Sequence, residues 1–180
     1  MGMGEWVSSS VPYLTPTAKG QPDAWGAEAA ARGRRGTQRI VHAGEVPAPA
    51  DIAELLGVAG GEGVVVRRRV MFLDDVPCEL TDTYYPAQIA RGTRLAGTAK
   101  IPGGAVSLLT SLGHVGARVQ EDVIARLPSA EECAALRTGS NDPLLQLTRV
   151  TLDGSERPIQ VDRMAMPGHL QRLRYEIGIA

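Results

Sequence analysis

The sequence predicts an α+β fold: a mainly antiparallel six-stranded sheet with short helices, built from one strand–helix–strand–strand unit used twice. Laid on itself at an offset of 80 residues, "PADIAELLGVAGGEGVVVRRRVMFLDDVP" faces "SAEECAALRTGSNDPLLQLTRVTLDGSERP". Ala53 then falls on Cys133, Leu56 on Leu136, Val65 on Leu145 and Arg69 on Arg149; one inserted residue later, Pro77 meets Pro158. The second observation is that both copies pass through the same order of patterns, an alternating run, a helical stripe and two more alternating runs. The third is that each closing pair of runs is joined by an acidic, proline-containing turn, "DDVP" or "DGSERP".

Each element follows from local chemistry. Residues 1–36 are rich in Gly, Pro, Ala and Ser, with breakers at Pro12, Pro16, Gly20 and Pro22, and read as a linker. Tyr13, Leu14 and Trp25 are too large and apolar to be left in water, so the linker is expected to dock on the domain that occupies 37–180. "TQRIVHAGE" and "ARVQEDVIA" are the opening strands of the two copies. In the first helix Ile52, Leu55 and Leu56 form an apolar stripe, Pro49 sits near the start and Gly57 supplies the stop. In the second, "SAEE" is a capping box formed by Ser129 and Glu132. The hairpins are Val64–Leu73 with Cys78–Tyr85, and Leu144–Leu152 with Ile159–Met166. A three-residue connection, Asp74–Val76, predicts Arg69 opposite Thr81 and Arg67 opposite Thr83. Between the copies, "YYPAQIARGTRLAG" and "GGAVSLLTSLGHVG" are two helical pieces able to cover the open sheet face and leave a small-molecule cavity beneath.

Composition narrows the function. With 19 basic and 20 acidic residues the chain has no basic excess, so any contact with DNA must be made by another segment. No apolar run approaches the roughly 18 to 20 residues that span a bilayer, and "MGMGEWVSSS" lacks a charged and then apolar leader; no membrane role and a cytoplasmic location are expected. Cys78 and Cys133 are far apart and have no second ligand at metal spacing, so they read as small apolar residues. His42, His114 and His169 are equally isolated and read as polar surface residues. No metal, cofactor or catalytic residue is expected.

Arg67, Arg68 and Arg69 interrupt an otherwise apolar strand. Alternation puts Val65, Arg67, Arg69 and Met71 on one face and Val64, Val66, Arg68, Val70 and Phe72 on the other. The second set should meet the core, with Arg68 extending its stem to water. On the first face, an ion-paired arginine on a solvated sheet is the ordinary reading, and periodicity alone does not overturn it in favour of a binding residue.

"RVMFLDDVPCELTDTYYP" resembles the signature hairpin of the UTRA domain, the effector-binding module of GntR-type transcriptional regulators of the HutC subfamily. The pattern is an arginine, a proline eight residues on after an acidic turn, and a second proline nine further on behind an aromatic residue: Arg69, Pro77, Pro86 and Tyr84/Tyr85. "AGEVPAPADIAELLGV", "EDVIARLPSAEECAAL", "DPLLQLTRVTLDGSERPIQVDRM" and "RLRYEI" extend the likeness over about residues 13–180. It implies the chorismate-lyase-like α+β fold. "GEWV", Gly4–Val7, is similar to the last strand of that family's DNA-binding wing, which implies that the winged helix-turn-helix itself is missing and that operator DNA is reached only through it.

The resemblance also implies a site. In members that bind phosphorylated sugars the hairpin arginine acts with a serine and a tyrosine at the start of the central helix and a glutamate on the second hairpin strand. Arg69 matches the arginine, but the other positions fall on Gly104, Val106 and Thr81. A phosphate dianion needs several converging donors, so a non-phosphorylated effector is expected. The candidate ligand-binding residues are Arg69, Thr81, Thr83, Arg67, Gly104, Val106, Gln160 and Trp25; Trp25 or Tyr13 would supply an aromatic wall, although core packing explains both rings equally well. The leading expectation is an effector-sensing homodimer that modulates DNA binding. The alternative is a chorismate-lyase-like enzyme acting on a small carboxylate, with Arg67, Arg69 and Glu79 or Glu121 in the catalytic roles.

Overall fold

The structure, a computed structural model, describes residues 6–16 and 23–177. Ahead of the repeat lie β1 (Trp6–Ser8), α1 (Val11–Leu14) and α2 (Ala24–Ala31). The first copy comprises β2 (Gly36–Pro47), α3 (Ala50–Leu56), β3 (Gly63–Leu73) and β4 (Val76–Pro86). The connection carries α4 (Ala87–Ala90), a 3-10 turn at Arg94–Ala96 and α5 (Gly104–Ser111). The second copy comprises β5 (Gly116–Arg126), α6 (Ala130–Leu136), β6 (Leu144–Asp153) and β7 (Pro158–Pro167), and β8 (Gln171–Leu173) follows.

A hairpin cannot bury its apolar face alone, so the two copies join into one antiparallel sheet of order β2-β3-β4-β7-β6-β5. They meet at β4 and β7, where Asp82 lies opposite Arg163, its own mate at the spacing that relates Pro77 to Pro158. A pseudo-two-fold axis therefore passes through that pair, normal to the sheet. Residues related by it share one face.

One face carries the helices of the repeat. Ile52, Ala53 and Leu56 of α3 pack on Val64, Val66, Tyr84, Val150 and Val161, while Leu136 of α6 packs on Leu144 and Ala165. Gly57 ends α3 at a φ of 64°, a left-handed conformation that costs glycine nothing. The capping box of α6 is formed in full, with Ser129 Oγ accepting from the Glu132 amide and the Glu132 carboxylate accepting from the Ser129 amide. Arg68 extends to water on this side and pairs with Asp82 at 3.3 Å.

The opposite face is covered at both ends. Val65, Tyr85 and Ile159 pack under Ile89, Leu95, Ile101 and Leu109 of the connection. Met71, Leu73 and Cys78 pack under Trp6, Trp25 and Ala29. The segment ahead of the repeat is thus more regular than the linker its breakers suggest, because "AWGAEAAA" is rich in the best helix former and Asp23 caps it by accepting from the Gly26 amide at 2.9 Å. Of the "GEWV" stretch, Gly4 and Glu5 lie outside the described residues, as do Gly20 and Pro22. Trp6 and Val7 form β1, which pairs in parallel with β8.

The hairpin register is the expected one, Arg67 opposite Thr83 and Arg69 opposite Thr81, but the connection differs. Leu73 pairs with Val76, so the turn has two residues, Asp74 and Asp75, both with positive φ (49° and 66°) as a type I′ turn requires. A bulge at Cys78 then adds the residue that restores the register. Its repeat mate Ile159 makes the same bulge in the second hairpin. Cys78 is buried, with its thiol pushed up to about 12 by burial, and Cys133 is half-buried. Among the described residues no helix is long and apolar enough to cross a membrane.

Candidate functional site

Between the two apolar clusters, on the face opposite α3 and α6, lies a cavity of about 180 Å³. The sheet supplies its polar floor, Gly103–Val106 of the α5 start one wall, and Ser8–Ser10, Tyr13 and Trp25 another. Arg69, Thr81, Thr83, Gln160, Gly104, Val106 and Trp25 all line it. They arrive there from five different elements, the four strand residues because alternation sends every second strand residue to this face.

Arg67 is the exception. It is buried, and its guanidinium donates to the carbonyls of Arg94 (3.0 Å), Leu95 (3.3 Å), Gly97 and Ala99 (3.2 Å). It therefore fastens the 3-10 turn of the connection onto β3 and does not line the cavity. Arg67 sits two residues nearer the connection than Arg69, a distinction of tertiary position that alternation does not make.

Arg69 is differently placed. Its Nη2 donates to Thr83 Oγ1 at 2.8 Å, and that hydroxyl donates onward to Asp162 Oδ1 at 2.7 Å. Gln160 Nε2 donates to the other oxygen, Asp162 Oδ2, at 2.7 Å. Asp162 thus has both oxygens satisfied, whereas Arg69 Nε is buried with no hydrogen-bond partner. Arg69 forms no salt bridge among the described residues, an expensive state for a shielded cation unless another group completes it.

Three further charged groups shape the cavity. Arg149, the repeat mate of Arg69, lines it as well, because the pseudo-two-fold brings mates to one face. Its Nε donates to Glu121 Oε1 at 2.6 Å, with both side chains more than nine-tenths buried. Glu79 accepts from Thr81 Oγ1, and burial holds its carboxyl above the usual carboxylate range. Sequence reasoning reached Glu79 only as part of an enzyme and missed Asp162; the signal was there, since Asp162 is the mate of Thr81 at the spacing of Pro77 and Pro158.

The aromatic candidates have double roles. Trp25 lines the cavity but also packs edge-on against Trp6, ring centroids 5.2 Å apart, and donates from Nε1 to the Phe72 carbonyl at 3.1 Å. Tyr13 donates to the Glu28 carboxylate, and burial raises its phenol well above the usual value. His42, His114 and His169 take no part, and no group of His, Cys, Asp and Glu among the described residues is placed to hold a metal ion.

A duplicated antiparallel sheet with its polar cavity under an inserted helix defines a class of α+β ligand-binding domain. The chain belongs to the UTRA domain family, whose model matches residues 31–172. It is 29% identical over 132 residues to an HTH-type transcriptional regulator of Streptomyces coelicolor, covering 71% of this chain and 49% of that protein. It is 23% identical over 159 residues to the HTH-type transcriptional regulator GgaR of Escherichia coli, covering 88% of this chain and 60% of that one. The chain thus spans roughly half to three-fifths of the length of these relatives. Among solved structures, PhnF from Mycobacterium smegmatis matches with a TM-score of 0.79 at 23% identity, over 98% of this chain and 73% of its own, and so shows the fold. The ligand-binding domain of a GntR-family regulator from Bordetella bronchiseptica matches at 27% identity with a TM-score of 0.70, over 80% of this chain and 92% of that one.

Proposed function

We propose that this chain is the effector-sensing and dimerisation domain of a GntR-type regulator of the HutC subfamily, and that a small, non-phosphorylated metabolite binds in the cavity over Arg69. The observation that carries the reading is the buried, unpartnered Nε of Arg69 in a cavity of about 180 Å³. An engineered cavity of about 150 Å³ takes up benzene, so this one suits a ligand of on the order of ten non-hydrogen atoms. Three acceptor-rich groups argue against a phosphate dianion: Glu79, Asp162 and the Glu121 that already neutralises Arg149. The backbone adds to this. Gly104 has a φ of 81°, so a serine there, as in phosphosugar binders, would be strained by about 1–2 kcal/mol.

The effector acts on DNA through heads outside this chain, by binding two arrangements of a homodimer with unequal affinity. Dimerisation is favoured by β5, an edge strand with Val115, Val123, Ile124 and Leu127 exposed on and beside it. A cytoplasmic location follows from that role. Calorimetry of a metabolite panel against the purified chain tests the reading: unphosphorylated compounds should outcompete sugar phosphates, and micromolar binding of a sugar 6-phosphate would overturn it. Incubation with chorismate should release no pyruvate; release would instead favour a lyase.

A further inference from the structure

We propose that the cavity selects an amphoteric ligand, whose carboxylate or other acceptor meets Arg69 and whose protonated amine meets Glu79. This rests on the reading of the cavity as an effector site and adds the chemical class. The charged groups that line the cavity differ in the capacity they still have. Asp162 has both oxygens occupied, by Thr83 and Gln160. Arg149 is matched by Glu121 at 2.6 Å, and Asp23 by Lys100 at 3.2 Å. What remains is Arg69, with Nε unpartnered, and Glu79, which accepts a single hydrogen bond from Thr81 among the described residues.

These two groups have opposite signs and lie on one face of one hairpin. Arg69 is opposite Thr81 and Glu79 is opposite Met71, which makes them diagonal neighbours, with backbones about 7–8 Å apart. They are not bonded to each other, so each is open to a ligand lodged between or above them. A ligand of one sign would satisfy one group and leave the other shielded from water without a partner, at a cost that grows as the ligand expels solvent. A ligand bearing both signs, separated by a short carbon chain, satisfies both. Leu147, Met164 and Met166 supply an apolar surface for that chain.

The test uses probes of known structure. Thermal shift and calorimetry would compare the ω-amino acids from 3-aminopropanoate to 6-aminohexanoate with the matched monocarboxylates and monoamines. At least one amino acid should bind about tenfold or more tightly than both of its single-charge partners. Glu79→Gln, which keeps shape and removes charge, should lower that affinity to the level of the monocarboxylate without weakening the monocarboxylate itself, whose anion no longer meets a like charge. Its melting curve reports folding independently, and binding by the wild type should tighten as pH rises and Glu79 ionises. A monocarboxylate or monoamine that equals the amino acids, or an amino acid indifferent to Glu79→Gln, overturns the amphoteric assignment and leaves the effector site standing. Silence from every probe up to about 10 mM overturns the amphoteric assignment too, and the metabolite panel then decides the effector site separately.

Discussion

Arg67, Arg68 and Arg69 are consecutive and meet three different surroundings. Arg68 lies on the helix-bearing face and reaches water beside Asp82; Arg67 is spent on the carbonyls of the connection; Arg69 opens on the cavity. Losing one charge-assisted hydrogen bond typically costs about 1.5–3 kcal/mol, so Arg69→Ala should weaken effector binding by roughly 10- to 150-fold while the melting temperature stays near that of the wild type. Arg68→Ala is the appropriate control and should leave affinity unchanged. Arg149 is unsuitable for that purpose, since it shares the cavity; Arg149→Ala would leave the buried Glu121 with the Ser10 and Tyr175 hydroxyls but without its cation and cost up to about 3–5 kcal/mol of stability, read by urea unfolding. Glu79 gives a pH signature. Burial raises its carboxyl in the folded state, so between the ordinary carboxylate range and that raised value the native protein holds more protons than the unfolded chain. The stability owed to the neutral form is complete below the unfolded pKa and is lost as pH rises through the folded one. The wild type should therefore lose stability relative to Glu79→Gln as pH rises, and a difference that is flat with pH would contradict it.

At the scale of elements, each copy relies on a short helix whose ends are fixed by local chemistry. α6 is too short to be stable alone, so its cap matters: Ser129→Ala should cost about 1 kcal/mol, or a melting shift of about 2–4 °C for a chain of this size. The first hairpin offers the reverse experiment. Asp75 has a φ of 66° in a type I′ turn, where glycine is preferred, and its ion pair with Arg35 is largely exposed and worth little. Asp75→Gly should raise stability by about 0.5–1 kcal/mol in the same assay. Asp74 is different, because its carboxylate holds Arg34 at 2.7 Å and the Arg35 amide at 2.8 Å.

At the scale of the molecule, duplication explains both the sheet and the site. Joining the copies through β4 and β7 leaves β2 and β5 as edges and puts Arg69 and Arg149 over the same floor. The second of these edges, β5, with Val123 and Ile124 exposed, predicts the assembly. Light scattering at tens of micromolar should give twice the chain mass of 19.1 kDa, and a charged substitution such as Ile124→Lys should shift that mass toward the monomer without altering the fold. A monomer in the unaltered chain would remove the dimer from the proposed mechanism.

The sequence by itself determined what short-range chemistry controls. The repeat, the alternation of β3, the stripe and glycine stop of α3 and the capping box of α6 are each set by residues within a few positions of one another. The register of Arg69 with Thr81 was legible as well, because a slip of one residue would turn apolar side chains to the wrong face. The two-residue turn and the compensating bulge at Cys78 were not, since a longer loop and a shorter loop plus a bulge give the same register. Only the tertiary structure decided which polar groups of one face keep free capacity. Arg67 and Arg69 are equivalent by alternation, and what separates them is where the connection lands: its carbonyls reach the first and leave the Nε of the second unpartnered.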